Sequence, residues 1–193
     1  LAAQAGFELR RQAGYAFERV GRAQIEALQL GLAPRFAHGF YTEAGTQVGD
    51  PQRLTEAVVG LARQLGAGWE QGQVVAIRPQ ADQVEVDLAD GRCITARHVV
   101  LACGAWSKPL AQSLGDAVPL DTERGYNTTL PLQGFALQRQ LYFNDHAFVV
   151  TPLSTGIRVG GAVELAGLQL PPNFSRADAL LAKLPALLGA DVK

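Results

Sequence analysis

Four apolar residues in a row, Val99-Val100-Leu101-Ala102, run straight into three small ones, Cys103-Gly104-Ala105. A short unbroken apolar run has no wet face, so the pattern predicts a strand buried on both sides. The small residues after it let another group come close to the backbone. A helix is predicted to open next, with Ser107 at its N-cap and Pro109 in its first turn. A strand that ends in small residues before a helix suits ligand binding at the carboxyl edge of an α/β sheet. An ordinary strand and turn produce the same letters, so the reading needs support from its surroundings.

Upstream, residues 6–17 read as extended, because Phe7, Leu9, Tyr15 and Phe17 fall on odd positions, with a turn or bulge at Gly14. A short helix is predicted over 22–30, with Ile25, Leu28 and Leu32 on one face, ended by Pro34. Phe36, Gly39, Phe40 and Tyr41 make a second strand with His38 inside it, read as a plain strand histidine. Asp50-Pro51 starts the clearest helix: Asp50 caps free N–H groups and Pro51 lacks one. Its predicted buried stripe is Leu54, Val58, Leu61, Ala62 and Leu65, and Gly66 closes it.

Residues 69–77 form the next predicted strand. Val84 to Leu88 alternates cleanly, Asp90-Gly91 is a hairpin turn signal, and Cys93-Ile94-Thr95 returns. Val74, Val84 to Leu88, Ile94 and Val99 to Ala102 are expected to share one sheet, with the helix from Pro51 against it. After Gly115 short strands follow over 124–132, 138–143, 147–151 and 156–163, which favours an antiparallel sheet. Asn144-Asp145 and Ser154-Thr155-Gly156 make turns, Pro171-Pro172 breaks the chain, and residues 175–188 read as one helix with Leu180, Leu181, Leu184 and Leu188 in its stripe. The fold class expected is α+β.

Composition removes several classes of function. A net charge of −1 with arginines interleaved among glutamates gives no basic face for nucleic acid. No apolar run approaches the roughly 18 residues of a membrane span. Two cysteines, Cys93 and Cys103, are too few for a disulfide framework or a metal site. No signal-peptide pattern opens the chain, so the expected location is cytoplasmic, with peripheral association at the inner membrane left open. The chain of 193 residues contains no Met, and the expectation is an internal piece of a longer protein. Three histidines lack any pairing spacing, and no nucleophilic triad or P-loop can be read. A cofactor is then the natural source of reactivity.

The ordered set Gly49-Asp50-Pro51, Leu65-Gly66-Ala67, Val74-Val75, Asp90-Gly91, Cys103-Gly104-Ala105-Trp106, Pro119-Leu120, Glu123-Arg124-Gly125-Tyr126, Arg158-Val159-Gly160-Gly161 and Glu164 resembles the D-amino-acid oxidase-like (DAO) family of FAD-dependent oxidoreductases, most of all its bacterial D-amino-acid dehydrogenases. The resemblance spans the chain from about Phe7 to its end. It implies FAD in the full-length protein, a D-amino acid or related amine as substrate, and oxygen or a quinone as electron acceptor. It implies residues 1–48 in the substrate domain, 49–118 in the FAD domain and 119–193 in the substrate domain.

By position, the resemblance implies FAD contacts at Val74, Ala102, Cys103, Gly104 and Trp106, with adenine met by the Val74 backbone. It implies a substrate wall at Phe148, with Tyr142 and His146 beside it, and a domain crossover at Arg124-Gly125-Tyr126. Cys103 reads either as a flavin attachment or redox site, or as a small buried residue; no cationic neighbour in sequence would lower its pKa. The G-x-G-x-x-G turn that seats the FAD pyrophosphate is absent from these residues, as is the Gly-x-Arg-Pro segment whose arginine clamps the substrate carboxylate. The isolated chain is therefore expected to be inactive. The rival reading is a non-catalytic α+β binding or assembly module.

Overall fold

The computed structural model describes residues 2–131 and 135–188. Helices alternate with small sheets whose ladders pair antiparallel, the α+β class expected from the turn-rich second half. Two units form: residues 1–57, 125–163 and 172–193 make the first, and 58–124 with 164–171 make the second. These units divide the chain at 57/58 and 124/125, and a short later segment returns to the second unit.

The first unit starts with a helix where an extended segment was expected. Helix α1 covers Ala2–Gln12. Helical spacing brings Glu8 onto both Arg11, at 2.6 Å, and Gln12, and stacks Phe7 on Phe40 with ring centroids 4.0 Å apart. The odd-position alternation marks no buried face, since Leu9 and Tyr15 are exposed. Gly14, at φ +86°, ends the helix in a left-handed turn. Strand β1 (Glu18–Gly21) pairs with β2 (His38–Tyr41), and α2 (Arg22–Leu28) lies between them in sequence. Gln24 supports the start of α2 by accepting a hydrogen bond from the Gly21 N–H.

The same unit contains a four-stranded sheet in the order β6-β9-β8-β7. These strands are β6 (Arg124–Leu130), β7 (Leu141–Phe143), β8 (Phe148–Leu153) and β9 (Gly156–Glu164). Its inner face carries Phe143, Phe148, Val150, Ile157 and Val159 into a core with Leu180, Leu184, Leu187 and Leu188. Those leucines come from two helices, α5 (Ser175–Leu181) and α6 (Leu184–Leu188), not the single helix expected over 175–188. Pro185 explains the break: it has no N–H for the Leu181 carbonyl, and its ring clashes there. The leucine stripe survives the break and is buried.

In the second unit, β3 (Val74–Pro79), β4 (Val84–Leu88) and β5 (Cys93–Ala96) form a three-stranded meander in that order. Asp90 accepts from the Arg92 N–H and Gly91 takes φ +87°, closing the predicted hairpin. Helix α4 (Ser107–Ser113) packs on β3.

Two expectations fail here. Val99–Ala102 joins no sheet, and Val100 is 87 % exposed. An apolar strand needs neighbours on both edges and cover on both faces, and the meander ends at Ala96 without supplying them. Helix α3 (Pro51–Gln64) forms as predicted, with Asp50 accepting from the Gln52 and Arg53 N–H groups. It has no buried residue: Leu54, Val58, Leu61 and Leu65 are all exposed. Periodicity establishes that a face is apolar; burial also needs a surface to receive it.

Candidate functional site

Within the second unit, the chain leaves Ala96 and reaches Cys103 in open conformation, then turns through a short 3-10 helix at Gly104–Trp106 into α4. Ser107 does not cap this helix from outside. It is the first residue of α4, and its Oγ accepts from the Cys103 N–H at 3.0 Å. The Trp106 N–H donates to the Cys103 carbonyl at 3.1 Å. Together these bonds fix the Cys103–Ser107 turn. Gly104 adopts φ +55°, and a Cβ built there meets no atom within 4 Å. The turn therefore faces open space on the side where a ligand could approach.

Ala102, Cys103, Gly104 and Trp106 are exposed together in this turn. Cys103 is a free, exposed thiol, so the reading of it as a small buried residue is corrected. Val74 opens β3 opposite Leu88, just before a register shift between Val74 and Ala76. The helix α4 that follows the Cys103–Ser107 turn packs on β3, the strand that Val74 opens.

These residues suit part of a dinucleotide. Accessible backbone beside small side chains can hydrogen-bond a base or lie against a flat ring. A pyrophosphate needs N–H groups at a helix start or a cation, and the unit offers no glycine-rich turn of that kind before a helix of useful length.

In the first unit, Tyr142 and His146 come together along an open concavity of about 1480 Å³. Tyr142 sits on β7 opposite Val149 and is 65 % exposed. His146 lies in the 3-10 turn Asn144–His146, and its carbonyl accepts from Lys183 Nζ at 3.1 Å. Ala147 at φ +46° completes the tight reversal into β8. Phe148 is placed otherwise. It pairs with Phe143, its ring packs edge-on at 5.8 Å from that ring, and it is 1 % exposed. Strand alternation turns Phe143 and Phe148 into the core while Tyr142 points the other way.

The concavity also holds residues that sequence reasoning did not single out. Arg139 donates to the Leu28 carbonyl at 2.8 Å, and its guanidinium lies over the Tyr41 ring, 5.7 Å from the centroid. His38, read from the sequence as a plain strand histidine, lines the same space. No motif surrounds Arg139; a polar tract just before a strand was the sole signal in the sequence. Arg124, read as a crossover residue, bridges Glu164 at 3.2 Å.

Among the described residues no helix is long and apolar enough to cross a membrane, and no cluster of three or more His, Cys, Asp or Glu could hold a metal ion.

Comparison with known proteins gives the setting of these features. A D-amino-acid oxidase from Bradyrhizobium diazoefficiens is 29 % identical over 175 residues, which is 91 % of this chain and 42 % of that protein. The glycine oxidase structure from Geobacillus kaustophilus superposes with a TM-score of 0.80 at 22 % identity, covering 92 % of this chain and 48 % of that one. Iminodiacetate oxidase from Chelativorans sp. BNC1 superposes with a TM-score of 0.74 at 21 % identity, covering 90 % and 47 %. The chain thus spans about half the length of these relatives. The family described as FAD dependent oxidoreductase (DAO) matches residues 1–193. The chain belongs to the DAO family of FAD-dependent oxidoreductases.

Proposed function

We propose that the complete protein oxidises a D-amino acid or a related amine. A D-amino acid would lose its α-hydrogen as hydride and its amine proton to water, giving an imine that water hydrolyses to a 2-oxo acid and ammonia. The family match over residues 1–193 carries this reading, and the printed activities of the similar proteins, which name a D-amino acid, glycine and iminodiacetate, support the substrate class. FAD, which the family implies, would supply the hydride acceptor when bound, with oxygen or a quinone as the final acceptor of the electrons.

The chain's own share of the work is binding and alignment. The Val74 backbone, Ala102, Cys103, Gly104 and Trp106 hold part of the cofactor; the open space at Gly104 supports that role. Tyr142 and His146 form the substrate wall, supported by their shared place on the concavity. Phe148 packs against Phe143 in the core behind that wall, and its share is stability. No side-chain base is assigned.

The test is anaerobic mixing of the full-length protein with amines while the flavin absorbance near its visible band is followed. Bleaching by D-amino acids, faster than by their L-enantiomers, is expected. A preference for L-enantiomers overturns the substrate assignment. Flavin that no amine bleaches favours the non-catalytic module.

A further inference from the structure

We propose that Arg124 is a latch that closes the loop 164–171 at both ends. One guanidinium grips two points six residues apart. Nη1 donates to Glu164 Oε2 at 3.2 Å, where β9 ends, and Nη2 donates to the Leu170 carbonyl at 2.7 Å, just before Pro171-Pro172. The pair is half-sheltered, with the Arg124 and Glu164 side chains 25 % and 17 % exposed. Partial shelter raises the worth of a charge-assisted bond above that of a fully solvated ion pair.

The loop's own apolar side chains contribute little. Leu165 is 81 % exposed, Leu170 59 % and Leu168 37 %, so its apolar side chains bury little area. Gly167 turns the chain at φ +65° with open space around it. A loop with few buried contacts opens locally at low cost unless a specific bond closes it. Arg124 supplies two such bonds from a position 40 and 46 residues away in sequence. Arg124 and Glu164 end the neighbouring strands β6 and β9, and with Leu170 they fall among the second unit's residues, so this side chain ties the far end of segment 164–171 back to the strand ends where the segment begins. When the latch opens, three leucines and the loop backbone are released together, whatever amine the enzyme takes.

Hydrogen exchange of the full-length protein, read by mass spectrometry, tests the latch independently of catalysis. Arg124→Ala is expected to speed exchange of the amides of residues 165–170 by about tenfold or more, the scale of losing bonds to a charged donor, while residues 74–96 keep their rates. Arg124→Lys keeps one positive charge for Glu164 but cannot fork to Leu170. It is expected to free residues 168–170 more than 165–167. Glu164→Gln gives the reverse gradient and serves if Arg124→Ala fails to fold. Wild-type rates over 165–170 in Arg124→Lys and Glu164→Gln overturn the proposal. So does a uniform rise across the whole chain, which would mean general destabilisation.

Discussion

Replacing Phe148 by alanine separates a packing role from a ligand-facing one. The ring is 1 % exposed, meets Phe143 edge-on and belongs to the core formed by the four-stranded sheet, α5 and α6. Truncation removes a full aromatic side chain from a packed site, a change that costs about 3–5 kcal/mol when the cavity cannot collapse. Collapse is hindered here because Val150 and Val159, both 0 % exposed, are fixed in adjacent strands. Each kcal/mol lowers Tm by about 2–4 °C in a domain of 150–250 residues and by less in a longer protein, so the fall in the full-length protein should be several degrees. The assay pairs a thermal melt of the full-length protein with kcat/KM for a small and a bulky D-amino acid, measured well below the melt. A large fall in Tm with an unchanged ratio is expected. Tyr142→Ala, on the exposed face of β7, should do the opposite: little change in Tm and a ratio altered by about 1–3 kcal/mol, the range for reshaping an apolar pocket. An unchanged Tm with an altered ratio for Phe148→Ala would refute the packing argument and return that ring to the substrate wall.

Other outcomes follow from single features. Gly156→Ala should lower Tm markedly, because its φ is +144° and a Cβ there would overlap the Leu130 carbonyl oxygen; a wild-type melt would contradict this. Cys93 and Cys103 are both exposed, so two thiols should titrate with a disulfide reagent without denaturant, and a single reactive thiol would be inconsistent with the turn described. The isolated 193-residue chain should lose added FAD on dialysis and show no yellow absorbance, since its residues offer no pyrophosphate seat; stoichiometric flavin after dialysis would show the remaining contacts to be enough. Hydrogen bonds from the Arg92 backbone and side chain hold the Asp90 carboxyl below its ordinary range. A depressed folded value contributes stability above the unfolded pKa and loses it as pH falls through the folded value. Asp90→Asn should therefore flatten the acid limb of a Tm–pH profile, where pH falls below the ordinary carboxylate range, and an unchanged limb would show the turn to be held by backbone alone.

The hairpin from Val84 to Ala96 could be read in the letters because both of its determinants are local. Alternation sets the wet face, and Asp90-Gly91 sets the reversal. The cap of α3 was equally local, and Asp50 makes the bonds its position required. Burial is not local. Val99–Ala102 and the α3 stripe have the composition of covered surfaces, yet cover depends on which strand or helix arrives beside them. The break at Pro185 was visible in the sequence but outweighed by a leucine period that continues across it. At the site, Gly104 could be picked out by size alone. Arg139 could not, since its place beside Tyr41 arises from a contact nearly 100 residues apart in sequence.

The first unit's core has a consequence for synthesis. Its sheet and early residues such as Leu32 and Phe36 pack against Leu180 to Leu188, and the Ala33 N–H donates to the Leu187 carbonyl. A nascent chain leaving the ribosome therefore carries an unfinished apolar surface for most of its length. The β3-β4-β5 meander, complete within 23 residues from Val74 to Ala96, can form as soon as it emerges. The first unit must wait for its last two helices, with loops of well over 100 residues to close. Its exposed interval is thus set by the speed of translation, at about 5–20 residues per second, and slow codons placed before Ser175 would lengthen the time available for misassembly.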